Sequence, residues 1–154
     1  MPFVTKIVSG GQTGVDRAAL DAALQFGIPC GGWCPRQRLA EDGPIPARYP
    51  LSETATEYIE VRTELNVLDS DATLILTAGT PRDGTDLTEV CAKHHQKPCL
   101  VVDLDKPIQT EEVRAWIAAN QIRILNVAGP RESHRPGYMY RAASEFLTRV
   151  LSGG

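Results

Sequence analysis

The chain has 154 residues, with 16 Lys+Arg against 19 Asp+Glu and a formal net charge of −3. That length predicts one domain over residues 1–154, large enough to fold around its own core without disulfides or a structural metal. A composition of 42% hydrophobic and 23% charged residues excludes a disordered chain, and the acidic balance argues against a nucleic-acid partner.

No apolar run approaches the roughly 18 residues of a membrane span. The opening Met1–Val8 has no basic segment, long apolar core or cleavage site. A soluble, cytoplasmic protein with no membrane partner is therefore expected. Cys30, Cys34, Cys91 and Cys99 contain no C-x-x-C pair. With His94, His95 and His134 they show no standard zinc spacing, so reduced, buried thiols are expected and no metal site is assigned. The 16 cations divide into 12 Arg and 4 Lys, a bias that either follows genome composition or serves bidentate recognition of an anion.

Apolar periodicity alternates between strand and helix along the chain. Residues 4–9 predict a strand that stops at Gly10-Gly11. Residues 16–26 predict a helix through Ala19, Leu20, Ala23 and Leu24, closed by Gly27. Residues 28–33 predict a second strand, and residues 34–55, broken by Pro35, Pro44, Pro46 and Pro50, a long loop of the kind that often carries function. From about Glu57 a helix is expected to bury Tyr58, Val61, Leu65 and Leu68. Strands follow over 72–77, 98–104 and 122–127, and helices over 85–95, 110–120 and 137–151, with Thr110 as an expected N-cap. The alternation predicts one doubly wound, Rossmann-like α/β domain, with a mostly parallel sheet of about five strands and helices on both faces.

Ligands of such sheets bind beyond the carboxyl ends of the strands, and two turns there are rich in glycine. In Gly10, Gly11, Gln12, Thr13, Gly14, Asp16 and Arg17, the glycines admit positive φ and close approach of an anion to a helix N-terminus. The spacing is neither G-x-G-x-x-G nor a P-loop, which disfavours a Walker-type ATPase. Asp16 suits either a ribose hydroxyl or ring N–H, or an acid in the first turn of a helix. In Gly79, Thr80, Arg82, Gly84, Thr85 and Thr88, glycines and hydroxyls again suit phosphate, or a plain N-cap. Trp33, Arg36 and Arg38 in the long loop suit a planar ring bearing a phosphate, or a Trp packed under a flap. Arg131 and Arg135 either reach the same rim or stand in solvent. His95 and His134 have no nucleophile pattern around them.

The motif S-G-G-Q-T-G-V-D-R-A-A-L-D (residues 9–21), with G-W-C-P, A-E-D-G, R-T-E-L-N-V and S-D-A-T-L-I, resembles the putative molybdenum carrier branch of the lysine-decarboxylase-like LOG, or SLOG, superfamily. The resemblance covers nearly the whole chain. It implies a Rossmann-like fold, a homo-oligomer (dimer or tetramer), and a phosphate-bearing nucleotide or pterin-type ligand. Enzymes of the superfamily cleave the N-glycosidic bond of nucleoside 5′-monophosphates with an Arg and the Glu of G-T-x-x-E. The Arg maps onto Arg62, whereas Thr88 stands where the Glu belongs, and Glu89 is turned aside by about 100°.

The expectation is a binding protein for a phosphate-bearing small molecule, such as molybdenum cofactor or molybdate. Gly10, Gly11, Thr13, Gly14, Gly84 and Thr85 would cradle the anion, and Arg36, Arg38 and Arg62 would neutralise it. The alternatives are a phosphoribohydrolase-type enzyme, with Arg62 and Asp16 (or Glu53 in place of the missing Glu) catalytic, and a nucleotide-sensing module.

Overall fold

A computed structural model describes residues 4–79, 84–107 and 110–152, with residues 84–86 as backbone. Strand β1 (Lys6–Val8) leads into helix α1 (Val15–Phe26), which stops at Gly27 in the left-handed conformation. Strand β2 (Cys30–Gly31) follows. The long segment after it holds four two-residue strands: β3 (Trp33–Cys34), β4 (Leu39–Ala40), β5 (Gly43–Pro44) and β6 (Ser52–Glu53). The rest alternates regularly: α2 (Ile59–Leu68), β7 (Ala72–Thr77), α3 (Gly84–His94), β8 (Cys99–Asp103), α4 (Thr110–Ala119), β9 (Ile124–Ala128) and α5 (Met139–Leu151).

The expected order of strands and helices is thus the observed one, with two local differences. The second predicted strand breaks at Gly32, where φ is 134° and a Cβ would stand 2.3 Å from the Ser9 carbonyl oxygen. Beyond the break the chain leaves the main sheet, and β3 pairs in parallel with β6. The second difference concerns α2. Tyr58, Val61 and Leu68, expected in the core, are 64%, 38% and 42% exposed, while Thr63, Asn66 and Val67 are buried. Hydrogen bonding decides this orientation, because Asn66 accepts from the Trp33 N–H (2.7 Å) and donates to the Trp33 carbonyl (3.0 Å). Those main-chain groups would otherwise be left unpaired on the inner side of β3.

The five-stranded sheet runs β2-β1-β9-β7-β8, all pairs parallel. Helices α1, α4 and α5 pack together on one face, and α2 with α3 on the other. If β9–α5 is counted as the first strand–helix unit, the order becomes 3-2-1-4-5, that of doubly wound dinucleotide-binding sheets. The chain is therefore a rotated version of that fold, whose topologically first unit comes last in sequence. Strand β7 is buried at every position, as a central strand covered on both faces must be. No helix among the described residues is long and apolar enough to cross a membrane.

If Asn66 sets the orientation of α2, Asn66→Leu costs about 2–3 kcal/mol, the usual penalty for orphaning buried polar groups. Leu68→Ser, on the face that periodicity takes for core, changes stability by less than about 0.5 kcal/mol. Urea denaturation of the two variants distinguishes them; equal losses would contradict this account.

Candidate functional site

The turn after β1 is held from below by Ser9, which is fully buried. Its hydroxyl donates to the Asp16 carbonyl (2.9 Å) and accepts the Gly11 N–H (3.2 Å). Three glycines answer to three different neighbours. A Cβ on Gly10 would lie 2.2 Å from Arg62 Nη1 and 2.6 Å from its Cζ, so the guanidinium of α2 lies flat on this glycine. Gly11, at φ 79°, carries Leu51 and Ile45 of the long segment against its Cα. Gly14, at φ 78°, faces protein: its Cβ would meet the Pro130 carbonyl oxygen at 2.5 Å, in the turn after β9. The same carbonyl accepts the Val15 N–H (3.2 Å), while no side chain caps the N-terminus of α1.

Asp16 is engaged within the protein. Its carboxylate turns back under the loop, 2% exposed, to accept the Gln12 N–H (3.4 Å), with Arg62 Nη1 at 3.7 Å. Burial pushes its pKa up from 3.8 to about 6, against the opposing pull of Arg62. Gln12 and Thr13 tie the turn to its surroundings. The Gln12 side-chain oxygen accepts from the Thr13 and Glu41 amides, and the Thr13 hydroxyl donates to Glu41 and accepts the Glu132 N–H.

Most of the arginines expected to form a cationic rim are already engaged. Arg17 forms a bidentate pair with Asp42 (3.0 and 3.2 Å) and donates to the Gly11 carbonyl. Arg38 donates to four carbonyls, those of Ile45, Pro46, Tyr49 and Leu51, which makes it the internal brace of the long segment and not a ligand group. Arg36 is exposed beside Glu57. Arg135 grips Asp105 and stacks on Tyr138. Of the arginines expected to neutralise an anion, Arg36 and Arg38 thus already have partners within the protein.

Arg62 differs. Among the described residues, its Nε is the sole buried side-chain nitrogen or oxygen without a hydrogen-bond partner. Together with Gly10, Gln12, Pro35, Leu39, Ala40, Glu57 and Ile59 it lines a cleft of 130 Å³. At about 30 Å³ per water, that space holds a small anion and its hydration. A second cavity of 520 Å³ opens on the other side of the turn, between Thr13, Arg17, Arg48, Tyr49, Glu132 and Tyr140. There Asp21 accepts from both Tyr49 (2.6 Å) and Tyr140 hydroxyls, and Arg48 stacks on the Tyr49 ring at 4.5 Å. Asp21 closes the 9–21 motif, but nothing in the sequence pattern joined it to Tyr49 or Tyr140, which come from separate segments.

The remaining expected residues lie elsewhere. Trp33 donates its indole N–H to Asp69 at the C-terminal end of α2 and does not line the Arg62 cleft. Gly79, at φ 86°, ends β7 with its N–H on Asp103. Thr80 and Arg82 fall outside the described residues, Gly84 and Thr85 open α3, and Thr88 is buried on it. Glu89 pairs with Lys93, and Glu53 accepts the Gln37 N–H. The two glycine-rich turns share the carboxyl edge of the sheet but are separated there by β9.

The rotated strand order, with a glycine turn leading into the first helix, defines a Rossmann-like α/β domain. The chain matches the model of the circularly permutated YpsA SLOG family over residues 7–151 and belongs to that family. It is also similar to the crystal structure of a putative molybdenum carrier protein from Syntrophus aciditrophicus SB. Identity is 47% and the TM-score 0.92, over 97% of this chain and 96% of that one. No curated protein matches.

Two outcomes follow from the turn. Gly14→Ala forces the 130–132 turn away from α1 and lowers stability by about 2 kcal/mol or more, as thermal unfolding would show. For Asp16, the folded protein holds its proton to a higher pH than the unfolded chain. The stability this gives is present below pH 4 and is lost as pH rises through about 6. Stability of Asp16→Asn relative to the parent therefore rises by about 3 kcal/mol across that window; a flat difference would refute the buried charge.

Proposed function

We propose that the protein is a small-molecule carrier that takes the oxyanion end of its cargo, a phosphate group or molybdate itself, in the Arg62 cleft. The observation that carries this reading is the unpartnered Arg62 Nε, held against Gly10 at the mouth of the first turn. A buried guanidinium nitrogen without a partner is costly unless something supplies an acceptor. The missing side chain of Gly10 is what lets the guanidinium lie at this position. The similar protein's description as a putative molybdenum carrier supports cargo of this class. The 520 Å³ cavity on the other side of the turn is the size of ordinary cofactor sites.

The hydrolase reading has less support. N-glycosidic cleavage calls for a carboxylate presented to the sugar, while Asp16 is buried beneath the turn and Thr88 replaces the motif Glu. A homo-oligomer, as the resemblance to the superfamily implies, and a cytoplasmic setting are also part of the proposal.

Calorimetric titration with molybdate, sulfate, phosphate, pterin phosphates and nucleoside monophosphates tests this reading. Arg62→Met is expected to weaken oxyanion binding by roughly tenfold or more, a loss of about 1.4 kcal/mol, while leaving the fold intact. Unchanged affinity in the folded variant would move the site elsewhere. Release of free base from any monophosphate would favour the hydrolase. Sulfate, which does not titrate near neutrality, is expected to bind several-fold more tightly as pH falls through about 6, because Asp16 then loses its charge beside Arg62. That gain should vanish in Asp16→Asn.

A further inference from the structure

On the opposite side of the sheet from α1, three side chains come together that no motif connects. Cys91 and His95 are four residues apart on and just beyond the end of α3, so both lie on one side of that helix. Glu64 projects from α2, which packs against α3. Its Oε2 lies 3.0 Å from His95 Nε2, and the carboxylate oxygen, imidazole nitrogen and Cys91 sulfur are all within 4.8 Å of one another. Sequence spacing passed over this group because one ligand sits on a different helix.

From this geometry we propose that Glu64, Cys91 and His95 form a binding site for a divalent metal ion of the zinc class. The donor set decides the class. A thiolate, an imidazole and one carboxylate select a borderline-soft ion and exclude magnesium and calcium, which require oxygen shells. With metal–ligand distances of about 2.0–2.3 Å, ligand atoms around tetrahedral zinc stand roughly 3.3–3.8 Å apart. At 3.0 Å the Glu64–His95 pair is already that close, and no ligand atom of the group lies more than 4.8 Å from another. Thiolate and carboxylate together neutralise a dication. His94 packs edge-on against His95 at 4.9 Å and holds the ring that presents its nitrogen. With three protein ligands, a fourth position is left for water or an added ligand, as in open zinc sites.

The site is separate from the oxyanion cleft: Glu64 and Arg62 are two apart on α2 and so point in different directions. Metal occupancy ties α2 to α3 and thereby fixes the helix that carries Arg62.

Titration of the chelator-treated full chain with Co²⁺ tests the proposal. One equivalent is expected to give the intense visible bands of a tetrahedral site together with a near-ultraviolet thiolate-to-metal band. Both should disappear on adding Zn²⁺. Cys91→Ser should abolish the thiolate band, and Glu64→Gln and His95→Ala should weaken Zn²⁺ binding against a chromophoric chelator by more than roughly tenfold, the loss that even outer-sphere changes produce. Cys99→Ser should leave everything unchanged. Absence of a thiolate band in the folded parent, or its survival in Cys91→Ser, would overturn the assignment. Because Glu64→Gln changes an exposed residue, its loss of affinity cannot be ascribed to unfolding.

Discussion

Strand β9 is the constraint on which the rest of the molecule depends. It enters the sheet between β1 and β7, pairing with both, although it lies more than a hundred residues beyond β1 in sequence. Asp71 secures its start by accepting the Arg123 and Ile124 amides, and Asn126 donates to the Thr73 hydroxyl within the sheet. Its carboxyl end then delivers residues 130–132 against Gly14 and Thr13, so the first glycine turn is completed by the last β-α unit. The N-terminal half alone therefore has an open sheet edge and an unbraced turn. Such non-local closure is slow, since loop entropy is lost before the contacts form.

A second layer of organisation comes from charge pairing. The segment between β2 and α2 has little apolar material of its own beyond Cys34, Ile45 and Tyr49. Arg38 gathers its carbonyls, Arg17 pins Asp42 to the glycine turn, and Gln12 reaches across to Glu41. The Arg17–Asp42 pair is bidentate, and it and the Arg38 contacts are charge-assisted, the strong kind of hydrogen bond. They explain why an Arg-rich chain of net charge −3 need not carry a strongly positive surface.

The architecture was legible because it depends on long, regular patterns. Ala72–Thr77, four apolar residues and two threonines, reads as an interior strand, and the alternation of strands with amphipathic helices leaves a parallel sheet as the packing solution. The α2 face was not legible, since Tyr58, Val61, Leu65 and Leu68 keep helical spacing but Asn66 has main-chain groups to satisfy. The glycine turn was visible as a motif, yet the sequence could not say that Gly14 serves protein packing while Gly10 receives a guanidinium. Arg62 was found by resemblance. Its distinction from Arg17, Arg36 and Arg38 lies in which donors are already engaged, a property of distant contacts that no local window contains.

That distinction also explains why Arg62 and Asp16 are left imperfectly matched. A bidentate pair, of the kind Arg17 makes with Asp42, would satisfy both groups and close the cleft. At 3.7 Å, with Asp16 turned toward the Gln12 amide, the carboxylate holds Arg62 in place without occupying its donors. The protein thereby keeps a buried guanidinium nitrogen unpaired and a buried carboxyl whose pKa is raised, two local departures from good packing within one turn. Departures of this sort persist where function needs them. An arginine already satisfied by protein would have to break a hydrogen bond before accepting an oxyanion, whereas one held short of its partner gains a bond on binding. The unpaired nitrogen beside Gly10 is thus the feature through which this fold is proposed to hold its ligand reversibly.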